Sequence, residues 1–166
     1  MQPFIKSVRA DSSCEAVGSP PDHRMTQAAL ESWLRLRAID GVGDLTIVRL
    51  VRAWRSPEAV LRASRDELIQ SGCSPLLADA IRRGPDRSSS RSIEHEIEAI
   101  EREHVEVRSV LDPRYPARLN MITDPPPLLY ITGTLTEQDE LAVAIVGARR
   151  ATAAGRAVTE ELSHDL

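Results

Sequence analysis

Between Ala144 and Arg156 the chain reads Ala-Ile-Val-Gly-Ala-Arg-Arg-Ala-Thr-Ala-Ala-Gly-Arg. The apolar run Leu141–Val146 has the composition of a strand buried on both faces. Gly147 ends it, and a helix is predicted from about Ala153 to the last residue. A glycine at such a turn lets the backbone approach a ligand closely. The start of a helix offers unpaired N–H groups and a positive dipole end, so it attracts anions. Arg149, Arg150 and Arg156 add three positive charges, with no acid between Gly147 and Arg156. Thr152 is able either to cap the helix or to bond a phosphate oxygen. The chemistry these residues allow is phosphate binding. The plainer reading is a strand–turn–helix with its arginines in solvent. The spacing is neither G-x-G-x-x-G nor G-x-x-x-x-G-K-[ST], so a dinucleotide fingerprint is absent and the pattern argues against a P-loop NTPase. A repeating phosphate chain remains as ligand.

A second candidate is Ile39-Asp40-Gly41-Val42-Gly43, set between two predicted helices. It is similar to the turn of a helix-hairpin-helix motif, in which Gly41 and Gly43 would let backbone N–H groups reach a DNA phosphate. A weaker copy centres on Gly72. The competing reading is a tight structural turn, and Asp40 and Asp44 stand unhelpfully close to any phosphate. Catalytic signals are poor. His23, His95, His104 and His164 lack metal-ligand spacing. Cys14 falls in an N-terminal extension and Cys73 at a helix boundary. Glu94, Glu96, Glu98, Glu101 and Glu103 read as a solvated helix face. No catalytic residue, metal or cofactor is expected.

The elements that must position these residues follow from periodicity and caps. Residues 1–25 hold Ser12, Ser13, Gly18, Ser19, Pro20 and Pro21 with little apolar pattern, and read as a flexible extension, with Met25 an alternative start. Residues 26–84 read as a bundle of short helices. Leu30, Trp33 and Leu34 share a face; Ile47, Leu50, Val51 and Trp54 recur at i, i+3, i+4 and i+7. Ser56-Pro57 and Ser74-Pro75 are helix starts, Ser64 with Glu67 is a capping box, and Gly72 and Gly84 are stops. Leu76, Leu77, Ala80 and Ile81 are the expected apolar face of the last of these helices. Residues 85–92 read as a linker by composition. Residues 93–166 begin with a helix, Ile93–His104, whose buried stripe is Ile93, Ile97 and Ile100. Strands are predicted at Val105–Leu111 and Leu128–Thr132, with a helical turn through Leu119 between them. Buried strand, glycine turn and helix together open a doubly wound α/β domain. The sequence ends before a further strand–helix unit, so the expectation is a fragment of that domain.

The charge balance is uneven. The net charge is −4, residues 30–92 carry eleven arginines against eight acids, and residues 93–166 carry seven against fourteen. Any nucleic-acid contact must therefore come from a local patch. Lys6 is the only lysine among 21 basic residues, and arginine's planar fork suits phosphate. Aromatic residues make up 3%, too few for a base-stacking platform. No apolar run approaches the ~20 residues of a membrane span, and two cysteines favour a reducing, cytoplasmic setting.

The order Ile39-Asp-Gly-Val-Gly43, Tyr115-Pro-Ala-Arg-Leu119, Asp124-Pro-Pro-Pro127, Leu129-Tyr-Ile-Thr-Gly133 and Ala144-Ile-Val-Gly-Ala-Arg-Arg-Ala-Thr152 through Gly155-Arg156 resembles the DNA-processing protein A (DprA, or Smf) family over roughly residues 28–166. The resemblance implies a small helical domain like a sterile alpha motif, followed by a Rossmann-like domain. It implies binding of single-stranded DNA and its transfer to the RecA recombinase in natural transformation, by a homodimer with no catalytic reaction. Carried over by position, the strand-binding loop falls on Gly147, Arg149, Arg150, Thr152 and Gly155. Ala148 stands where the family often has serine, and Ala153-Ala154 where it has proline-tyrosine. Two other outcomes stand beside this one: a nucleotide-phosphoribohydrolase-like enzyme, which also opens on a glycine-ended buried strand, and a truncated product without function.

Overall fold

Alternating caps and stops divide the first part of the chain into short helices, and the computed structural model shows where each begins. It describes residues 25–136, 139, 143, 145–148 and 151–165. Helix α1 spans Gln27–Arg37, with the Thr26 hydroxyl accepting from the Ala29 N–H. Helix α2 spans Asp44–Trp54, α3 Pro57–Arg62, α4 Arg65–Gln70 and α5 Pro75–Arg83. Ser56, Ser64 and Ser74 each cap the helix they precede, and the Ser64–Glu67 capping box is complete in both directions. Each such cap satisfies amide groups that a helix cannot pair internally. Helix α6 follows at Arg87–Arg102, strand β1 at Glu106–Ser109, the short helix α7 at Ala117–Asn120 and strand β2 at Leu128–Ile131. Among the described residues the fold is mostly helical with one small antiparallel sheet. Glu106 pairs with Ile131 and Ser109 with Leu128, and the Val110 N–H extends the ladder to the Pro127 carbonyl at 3.0 Å.

One core joins the helices to this sheet. Leu34, Leu36, Ile47, Leu50, Val51, Val60, Leu68 and Ile81 are fully buried at its centre. Ile93 and Ile97 of α6 extend the core, and Val107, Val110, Tyr115 and Leu128 bring in the strands. By contacts the chain divides into two compact units between Thr134 and Leu135. The segment expected as a linker is helical from Arg87. Asp86 caps α6 by accepting from the Ser89 N–H at 2.7 Å and from the Ser88 hydroxyl, so a local cap overrides a composition rich in serine. Met25, assigned to the extension, is partly buried against the core; residues 1–24, with Cys14 and His23, lie outside the described residues. On α5 the buried residues are Ala78 and Ile81, while Leu76 is 78% exposed. Leu76 sits in the first turn, on the far side of Leu77 from Ala78.

The excursion between the strands is pinned by hydrogen bonds. The Tyr115 hydroxyl donates to the Pro126 carbonyl at 2.8 Å. Burial pushes this phenol up to about 12, with Arg52 pulling the other way, so it stays a donor. Arg108 donates to both oxygens of Glu106 (2.7 and 3.0 Å) and to the Arg114 carbonyl at 3.2 Å, and Arg114 pairs with Asp112 at 2.8 Å.

In the second unit, from Leu135, the described residues contain one helix, α8, at Ala153–Asp165. The expected buried strand over 141–146 is not found where it is described. Val143, Ile145 and Val146 form no strand and are exposed, Val146 by 90%. A strand buried on both faces needs neighbours in its own sheet, and the described residues of this unit include no other strand. Leu141, Ala142 and Ala144 lie outside the described residues.

Two outcomes test this packing. Tyr115→Phe should destabilise the protein by about 1 kcal/mol in urea unfolding, because the variant cannot bond to Pro126. Hydrogen bonds from Arg108 hold the Glu106 carboxyl below the usual carboxylate range against its burial, and Asp112, despite its burial, is held low by Arg114. A carboxyl depressed in the folded state contributes stability above its unfolded pKa of about 4 and loses it as pH falls through the folded value. Unfolding midpoints should therefore drop below about pH 4, and Glu106→Gln should flatten that drop.

Candidate nucleic-acid interface

The segment leading into α8 carries the strongest candidate residues. Thr152 precedes the helix, and its hydroxyl accepts from the Gly155 N–H at 3.1 Å while its carbonyl accepts from the Arg156 N–H at 3.0 Å. Thr152 thus acts as the helix cap, and its O–H proton remains available to an acceptor. A Cβ on Gly155 would meet the Thr152 hydroxyl at 3.3 Å, closer than most carbon contacts, so glycine makes room for the cap. Gly147 is exposed, and a Cβ there would meet nothing within 4 Å. Neither packing nor a left-handed backbone requires this glycine; its effect is to leave the approach to the chain open. Arg156 is exposed, and among the described residues no carboxylate pairs with it. Arg149 and Arg150 lie outside the described residues. Of the expected face of α8, Val158 and Leu162 are about half exposed, and Leu166 lies outside the described residues.

At the second candidate, Ile39 and Val42 are buried and hold the turn to the core. The Val42 N–H donates to the Ile39 carbonyl at 3.1 Å. Gly41 has φ +83°, a conformation that other residues rarely adopt. Gly43 is extended and forms the N-cap of α2 without any side-chain hydrogen bond. A Cβ on either glycine would meet nothing within 4 Å. Asp40 and Asp44 are exposed on either side. The third glycine turn is already engaged: the Gly72 carbonyl accepts from Arg49 at 3.2 Å.

Spacing along the chain gave no sign of a polar cluster between α1, α6 and β2. Arg37 donates to both oxygens of Glu96 at 2.7 Å and to the Tyr130 hydroxyl at 2.8 Å, and that hydroxyl donates to Glu96 at 2.7 Å. Glu96 is therefore half-buried and paired, while Glu94, Glu98, Glu101 and Glu103 are exposed as expected. Burial raises the Tyr130 phenol far above its ordinary value, so it remains protonated. Glu96 lies 34 residues from Tyr130 and 59 from Arg37, separations at which no local signal exists. The Glu106–Arg108 pair was findable, since residues two apart on a strand face the same way. Among the described residues no three His, Cys, Asp or Glu side chains group as metal ligands would, and no helix is long and apolar enough to cross a membrane.

Residues 106–166 match the family model described as DNA recombination-mediator protein A. The matched stretch runs from β1 through α8 and includes Tyr115–Leu119, Asp124–Pro127 and Gly147–Arg156. No curated protein matches the chain.

The cap on α8 yields a direct test. Thr152→Ala should weaken that helix by about 1 kcal/mol, lowering the far-ultraviolet helical signal of the chain, and Thr152→Ser should restore it.

Proposed function

We propose that this chain, whose residues 106–166 match the model of the DNA recombination-mediator protein A family, is a member of that family, binds single-stranded DNA and delivers it to the RecA recombinase during DNA uptake. The observation that carries the reading is the family match over the segment in which Gly147, Arg149, Arg150, Thr152, Gly155 and Arg156 stand together. Open backbone at Gly147, the capped start of α8 and the charge of Arg156, unpaired among the described residues, support phosphate binding there. Gly41 and Gly43 offer a further backbone approach at the start of α2. Such a reader is indifferent to base sequence, because amides and guanidinium groups address the phosphates. It works by binding and release, without a catalytic step or cofactor, in the cytoplasm. In the same proposal the helices up to residue 84 act as a domain like a sterile alpha motif, residues 93–166 supply the opening of a Rossmann-like domain, and the working form is a homodimer.

Arg149→Ala combined with Arg150→Ala should weaken binding to single-stranded oligonucleotides of every sequence. The slope of log affinity against log salt should fall by about 0.7 for each phosphate that is no longer neutralised. Fluorescence anisotropy over a salt series reads both. An unchanged affinity and slope would remove the assigned loop.

A further inference from the structure

We propose that the exposed face of α2, through Arg49, Arg52 and the adjoining Arg55, is a second binding strip for the phosphates of single-stranded DNA; this rests on the function proposed above. Some described arginines of the first unit pair with carboxylates, Arg35 and Arg102 with nearby glutamates among them. Others, including Arg62, Arg83, Arg87, Arg91 and Arg118, are exposed and have no carboxylate partner among the described residues. The strip on α2 is picked out by spacing on one helix and by neutral anchors. Arg37, Arg65, Arg108 and Arg114 are spent on carboxylates: Glu96, Asp79, Glu106 and Asp112. Arg49, Arg52 and Arg55 are exposed, and among the described residues none of them has a carboxylate partner.

Two of the three are nevertheless held in place, and by neutral groups. Arg49 donates to the Gly72 carbonyl at 3.2 Å, and Arg52 donates to the Asn120 side-chain oxygen on α7. A neutral acceptor orients a guanidinium while leaving its charge uncompensated, and most of its five N–H donors stay unused. Orientation in advance lowers the entropy cost of binding a ligand. The Gly72 turn is shaped to allow this. Its φ is +88°, and a Cβ there would lie 3.3 Å from the Arg49 guanidinium.

Arg49 and Arg52 are one turn apart on the same face of α2, about 4.5 Å along its axis, a spacing that lets both tips reach neighbouring phosphates of one strand. Ala53, beside them, is exposed and small, so the strand meets no bulky side chain there. Arg55 ends the helix in the left-handed conformation, φ 64°, and carries the strip past the last turn. Asp40 and Asp44 lie at the opposite end of α2, which confines the strip to its C-terminal half. A nucleic-acid strand is the occupant that charge complementarity selects, since residues 30–92 hold eleven arginines against eight acids within a chain of net charge −4.

The test uses the full chain and a fluorescein-labelled single-stranded oligonucleotide of mixed sequence, with anisotropy read over a salt series. Arg49→Gln with Arg52→Gln should lower the salt slope by about 1.4, or 0.7 for each phosphate, with unchanged circular dichroism, and the matching double Lys variant should restore it. Arg55→Gln, whose side chain makes no hydrogen bond among the described residues, should lower the slope by about 0.7; it keeps the test decisive if the double variant misfolds. Arg65→Gln, which removes a charge already paired with Asp79, should leave the slope as it was. A wild-type slope in the Arg49, Arg52 and Arg55 variants overturns the strip alone. An equal drop in Arg65→Gln also overturns it, by showing an effect of overall charge. No binding by the wild-type chain overturns the proposed function and the strip with it.

Discussion

Burial of one apolar surface by elements far apart in sequence is the constraint on which the first unit depends. Helices α1 to α5 are each too short to be stable alone in water, and two four-residue strands do not make an independent sheet. Packing Leu34, Leu36, Ile47, Leu50 and Val51 against Val60, Leu68 and Ile81 supplies what each piece lacks. Val107, Tyr115 and Leu128 then join the sheet to that mass. Dispersion and water exclusion are non-directional, so polar groups must fix orientation. Arg37, Glu96 and Tyr130 do this where α1, α6 and β2 converge, each group answering the hydrogen-bonding needs of the others.

The charged groups follow a division of labour. Carboxylates near the sheet absorb Arg108 and Arg114, and those on helices absorb Arg37 and Arg65. What is left over decides how the surface behaves toward an anion. A total of −4 conceals local regions where guanidinium groups go unanswered, and a polyanion responds to the local field more than to the sum.

Much of the helical region was legible because its signals are local. Ser56, Ser64 and Ser74 with the following Pro57, Glu67 and Pro75 mark starts by chemistry that acts within four residues. Strands β1 and β2 were placed to within two residues for the same reason. What escaped was non-local or depended on packing. Composition concealed the cap at Asp86, and no pattern along α6 singles out Glu96 from its neighbours. The six apolar residues at 141–146 met the composition rule for a buried strand, yet burial is a property of surroundings that a sequence window does not contain. At the candidate loop, the capping role of Thr152 was readable, whereas the openness around Gly147 was visible only in three dimensions.

Gly43 has a consequence that differs from that of Gly41. Its backbone is extended, its surroundings are vacant, and it begins α2 without a side-chain oxygen folded over the first amides. Serine or aspartate would fit there, and the difference in helix stability between such caps and glycine is only a few tenths of a kcal/mol. Nothing inside the molecule thus presses hard for any one residue at this position. The bare peptide edge at the start of α2 therefore stands open to solvent.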